Sequence, residues 1–152
     1  MDKKRLLDFL LKARTKTYAG TGGKVKPTFK DSVQLGYTEG SLLYRDLYYS
    51  GNGVFAGLEV VYFQNEAAFT MSYFGNFKGM AEEEIDKILR KALQENWDKT
   101  RIWNRVEWQD GKFKYVCDGD GDWDELGGTE EIYKEGKKVY WFYYAGGLLK
   151  NL

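Results

Sequence analysis

The chain has 152 residues, 23 lysines and arginines against 23 aspartates and glutamates, and no histidine. That length suits a single domain over 1–152 with a core of its own, and the missing histidine excludes Ser-His-Asp and Cys-His nucleophile pairs and every imidazole metal site. The one cysteine, Cys117, excludes an internal disulfide and suits a reducing cytoplasm, so no cofactor is implied and any chemistry falls to carboxylates, Lys, Arg, Tyr or backbone.

Leu6, Leu7, Leu10 and Leu11 recur at helical spacing behind Asp2, which predicts an amphipathic helix over 3–14 with Asp2 as its N-cap. Asp8 breaks the apolar stretch and no small-residue cleavage site follows, so a signal peptide is not expected. No apolar run approaches the roughly 20 residues that span a bilayer, and a soluble cytoplasmic protein without membrane partners is expected. Residues 1–30 carry nine Lys/Arg against Asp2 and Asp8, and the rest of the chain carries the compensating acid. These cations are dispersed, which favours neutralisation within the domain over a nucleic-acid arm. Gly20-Thr-Gly-Gly23 lacks phosphate-loop spacing and leads toward Pro27, so it reads as a turn.

Strands are expected at 41–49, 58–64 and 67–77, with a turn at Asn65-Glu66. A second helix is expected over 82–97, with Ile85, Ile88, Leu89, Ala92 and Leu93 on one face and three glutamates in its first turn. Further strands follow from Val106 through Val116 about Asp110-Gly111, at 130–134, and at 138–145 after Glu135-Gly136. A shift of 71 residues superimposes Gly40 on Gly111, Tyr44 on Tyr115, Gly57 on Gly128, Glu59 on Glu130, Tyr62 on Tyr133, Tyr73 on Tyr144 and Gly75 on Gly146. The expected fold is therefore α+β. A duplicated α-β-β-β unit, with halves at about 1–77 and 78–152, forms one mainly antiparallel sheet with two helices on one face.

Glu59 and Glu130 each follow a glycine by two residues and share a strand face with apolar neighbours. A carboxylate so placed must be paired or hydrogen-bonded. It can anchor a ligand or work as one of an acid/base pair, or it can simply accept a tyrosine hydroxyl. The aromatic content of 17% is concentrated in the strands. Tyrosines suit a wet-rimmed pocket because the ring binds while the hydroxyl stays solvated. Tyr62, Tyr73, Tyr133 and Tyr144, with Tyr44 and Tyr115, are accordingly the candidate lining of a pocket on the sheet face away from the helices, anchored by Glu59 and Glu130. The acidic run Asp118–Asp124 lacks the glycine and glutamate of a calcium loop and reads as turn chemistry, so no metal site is expected. Cys117, ahead of that run, is not expected to be a nucleophile.

The strings Tyr18-Ala-Gly-x-Gly-Gly23, Gly57-x-Glu59, Tyr73-x-Gly75, Glu130-x-Ile132-Tyr133, Val139-Tyr140 and Tyr144-x-Gly146-Gly147 together resemble a small bacterial and archaeal family, domain of unknown function 5680. Some relatives join such a domain to a helix-turn-helix repressor-type domain, which implies a sensing role. The resemblance carries no catalytic residues, and Ala145 stands where relatives often have a polar residue before the final Gly-Gly. The expected function is a non-catalytic small-molecule-binding or sensor module. The alternatives are a homodimerisation module and a carboxylate-based hydrolase using Glu59 and Glu130.

Overall fold

The computed structural model describes residues 1–151. Asp2 accepts the Arg5 amide at 2.8 Å and opens helix α1, Lys3–Lys16. The helix buries Leu6, Phe9, Leu10, Leu11 and Ala13, and with them Arg14, one turn beyond Leu10 on the same stripe. The strands β1 (Lys24–Val25), β2 (Val33–Glu39), β3 (Leu42–Gly51), β4 (Val54–Phe63) and β5 (Glu66–Asn76) lead to helix α2, Glu82–Glu95. The strands β6 (Arg105–Asp110), β7 (Phe113–Gly121), β8 (Leu126–Lys134) and β9 (Lys137–Leu148) complete the order. Two helices and a nine-stranded, wholly antiparallel sheet thus make an α+β fold.

The sheet order is β1-β2-β3-β4-β5-β9-β8-β7-β6. A five-stranded meander, β1 to β5, therefore meets a four-stranded one, β6 to β9, at β5 and β9, where Tyr73 stands opposite Tyr144. Tight hairpins at Asn52-Gly53, Gln64-Asn65 and Glu135-Gly136 hold both central residues at positive φ, the geometry whose twist suits paired strands. The expected strands at 41–49, 58–64 and 67–77 correspond to β3, β4 and β5, whereas the Asn52-Gly53 hairpin is not among the expected turns. Sequence reasoning gives β1 and β2 no strand character, because Gly36 interrupts a short polar segment. The Arg45 guanidinium is laid across this glycine, 1.8 Å from where a methyl group would stand.

Alternate strand positions bury Leu42, Tyr44 and Asp46 on β3, Glu59 and Val61 on β4, Phe69 and Met71 on β5, Tyr115 and Cys117 on β7, Glu130 and Ile132 on β8, and Phe142 and Tyr144 on β9. The apolar members join Leu6, Phe9 and Leu10 of α1 and Ile85, Leu89 and Ala92 of α2 in one continuous core. The opposite positions leave Tyr49, Leu58, Phe74 and Tyr143 exposed. No helix among the described residues is long and apolar enough to cross a membrane.

Candidate functional site

Glu59 and Glu130 lie on the buried side of the sheet, each at the centre of a polar cluster closed from solvent. Glu59 is held by the Arg14 guanidinium, whose Nε and Nη2 donate to it, the latter at 2.6 Å, while the Tyr44 hydroxyl donates at 2.9 Å. Glu130, fully buried, takes Nε and Nη2 of Arg101 at 3.0 Å each and the hydroxyls of Tyr115 and Tyr140 at 2.6 and 2.7 Å. Burial pushes the Glu130 carboxyl up, but the Arg101 charge and these hydrogen bonds outweigh it and hold the group below its ordinary range. The two clusters touch, since Arg14 Nη1 donates to the Arg101 carbonyl at 3.0 Å.

The arginines reach these carboxylates by different routes. Arg14 comes from the last turn of α1, whereas Arg101 belongs to the irregular segment between α2 and β6 and has left-handed backbone, φ 58°. A non-glycine residue in that region costs on the order of 1 kcal/mol, which the two-pronged bond to Glu130 offsets. Its amide donates to the Cys117 sulfur at 3.3 Å. Cys117 itself is inaccessible, and burial together with the Glu130 charge pushes its thiol up, the opposite of an activated nucleophile.

Beside the clusters, a cleft of about 110 Å³ opens between α2 and the strands. Phe55, Tyr73, Tyr140 and Phe142 supply its aromatic walls, and Asp46, Glu82, Asp86, Arg90 and Arg101 its charges. Tyr73 lies across Gly57, where a methyl group would stand 2.3 Å from the tyrosine oxygen, and this lets its hydroxyl donate to Asp46 at 2.6 Å. In the second meander Tyr144 lies across Gly128 in the same way, but its hydroxyl donates to the Ile102 carbonyl at 2.8 Å, 3.7 Å from the Cys117 sulfur. Burial, and then the Glu59 charge, push the Asp46 carboxyl up to about 7 against the smaller opposing effects of Tyr73, Arg101 and Arg14.

The eight residues singled out from the sequence therefore part company, Tyr44 and Tyr115 being buried as donors to Glu59 and Glu130. Tyr73 lines the cleft, and Glu59 borders a void of about 20 Å³ near α1, room for no more than a water molecule. Glu130 and Tyr144 are enclosed. Tyr62, opposite Leu43, alternates to the other side of the sheet, as does Tyr133, which hydrogen-bonds Glu131 there. The glutamates were expected on the face away from the helices. They instead point where α1 and the segment after α2 bring arginines to neutralise them. Arg14, Asp46 and Arg101 were missed. Arg14 could have been found as a cation on the apolar stripe of α1, and Asp46 as the third member of the alternation Leu42, Tyr44, Asp46. Along the acidic run, Asp118 pairs with Arg105 at 2.8 Å and Asp122 accepts the Asp124 amide at 2.7 Å.

Fold and site together define an α+β domain whose antiparallel sheet carries two arginine-neutralised glutamates beside an open aromatic cleft. A family model described as Domain of unknown function (DUF5680) matches residues 46–149, and the chain belongs to that family. The matched region begins at Asp46 and contains Glu59, Arg101 and Glu130, while α1 with Arg14 precedes it. No curated protein and no solved structure matches the chain.

Proposed function

We propose that this protein is a non-catalytic small-molecule-binding module, with its site in the cleft between α2 and the sheet. The observation that carries this reading is an aromatic-walled opening with the Asp46 carboxylate at its base, the usual composition of a ligand site. No reaction is assigned to Glu59 and Glu130, because each is neutralised by an arginine and shut away from any substrate. We read the chain as one unit built from two related halves, with both helices on one face. Phe113 stands 71 residues after Leu42, and Lys137 stands 71 after Glu66, in support of that reading.

A panel of small metabolites, scanned by thermal shift alongside native mass spectrometry of freshly purified protein, tests the binding reading. At least one compound raises the unfolding temperature, and Phe55→Trp, which fills the cleft, removes the effect while the protein stays folded. A panel with no stabilising compound, or stabilisation that Phe55→Trp leaves untouched, overturns it.

A second reading, self-association, is favoured by the opposite sheet face. There Leu58, Phe74 and Tyr143 are exposed on adjoining strands, and the Phe74 and Trp141 rings lie 5.8 Å apart. Sedimentation at micromolar concentration then gives a dimer that Phe74→Lys converts to monomer. A wild-type monomer removes this reading and leaves the first standing.

A further inference from the structure

We propose that the cleft takes a small organic cation, an alkylammonium or guanidinium group, with Asp46 as its counter-ion; this deepens the binding reading above and rests on it. The argument begins from the charges under the helices. Arg14 with Glu59 and Arg101 with Glu130 form two closed pairs. Asp46 is the fifth charged group, 5% exposed, and among the described residues no cation comes within salt-bridge distance of it. Its Oδ1 receives the Tyr73 hydroxyl, and its Oδ2 receives nothing from the protein. A carboxylate largely withdrawn from water, with its one unpartnered oxygen left to the cleft, is stabilised by a counter-charge supplied there.

Both neighbouring arginines are already paired with the two glutamates. Arg14 spends Nε and Nη2 on Glu59 and Nη1 on the Arg101 carbonyl, and Arg101 spends Nε and Nη2 on Glu130. At the mouth, Arg90 is turned to the Tyr18 carbonyl and lies 4.2 Å from that ring's centre. With Arg101 neutralised by Glu130, the cleft keeps three carboxylates, Asp46 within and Glu82 and Asp86 on α2 at the rim, against the single charge of Arg90, a net negative balance, and Asp86 already accepts the Tyr18 hydroxyl at 2.6 Å.

The walls suit the same ligand. Phe55 lies with its centroid 5.8 Å from that of Phe142 and 6.1 Å from that of Tyr73, so ring faces crowd the space above Asp46. Such faces attract cations, and Arg101 already uses one, with its guanidinium carbon 4.6 Å from the Phe142 centroid. The volume of about 110 Å³ is below that of a cavity known to admit benzene, which limits the buried part of the ligand to about four or five heavy atoms. An anion of that size would meet three carboxylates against the one cation, Arg90, that has no carboxylate partner among the described residues.

The test titrates the whole protein with n-butylammonium, its neutral isostere n-butanol, and n-butyrate, by calorimetry at pH 8 and pH 5.5. The ammonium is expected to bind at least about tenfold more tightly than butanol, a difference of about 1.4 kcal/mol, and Asp46→Asn is expected to erase the difference. Protonation of Asp46 competes with the cation, so binding weakens by about 30-fold at pH 5.5. The groups facing Asp46 are Glu59 from β4, Tyr73 from β5, Arg14 from α1 and Arg101. Glu82, Asp86 and Arg90 face the cleft from α2. Equal binding of butanol, tighter binding of butyrate, or an undiminished ammonium preference in Asp46→Asn overturns the cation assignment. If a neutral compound binds and Phe55→Trp abolishes it, the small-molecule reading survives alone. If neither these probes nor the metabolite panel bind, both fall.

Discussion

Glu130→Ala lowers the unfolding free energy by about 3–5 kcal/mol, read from urea denaturation at pH 7. The cost is not the loss of a favourable pair taken by itself, since a buried ion pair contributes little net stability against an apolar replacement. It arises from what the substitution leaves behind. Arg101 stays beneath the core with two donors unmet, and the hydroxyls of Tyr115 and Tyr140 lose their acceptor where water cannot replace it. The left-handed backbone at Arg101 then has nothing to hold it. The sign of the pH dependence follows from the lowered Glu130 carboxyl. Its contribution is present above the unfolded value near pH 4.3 and is lost as pH falls through the lower folded value. The gap between wild type and variant therefore narrows in acid. A deficit under 1 kcal/mol at pH 7, or one that grows below pH 4, contradicts the described cluster.

Asp46→Asn has the opposite effect: the variant is more stable than the wild type at pH 8, by about 4 kcal/mol at most. The folded-state carboxyl titrates at about 7, against about 3.9 for an unfolded aspartate, so the native protein holds a proton that the unfolded chain has given up. Wild-type stability consequently falls as pH rises from 4 to 7 and is level above. Asparagine carries no charge in either state and still accepts the Tyr73 hydroxyl. The advantage of the variant is therefore full above pH 7 and disappears toward pH 4. Matched urea curves at pH 4, 6 and 8 measure it, and a variant less stable at pH 8 rejects the account. That outcome would mean that Asp46 does not serve the fold, in keeping with a role toward a ligand in the cleft.

How far the chain reveals itself depends on how local each signal is. The apolar stripes of α1 and α2 repeat within a few turns, and expectations of 3–14 and 82–97 fall within two residues of Lys3–Lys16 and Glu82–Glu95 at each end. The burial of Glu59 and Glu130 could be read from strand alternation alone, and so could their need of partners. The identity of those partners could not. Arg101 lies in a segment without periodicity, 29 residues before Glu130, and only the folded chain brings the two together. The cleft was unreadable for a related reason. It exists where α2 stands off the sheet, and Asp46 at its base differs from Cys117, the residue 71 positions on, in one side chain only the folded packing makes consequential.

The seam between β5 and β9 carries a consequence for how the protein is made. β5 is synthesised early, and its hydrogen-bonding partner β9 is the last strand of the order, more than 60 residues later. Until β9 leaves the ribosome, the meander from β2 to β5 exposes a full-length unpaired edge bearing Phe69, Met71 and Phe74, while Glu59 already has Arg14 within reach. In the finished sheet the outermost strands are the two-residue β1 and the charged β6, neither of which invites pairing with another chain. During translation the edge is the long apolar β5, and nascent chains are at their greatest risk of mutual association in that interval.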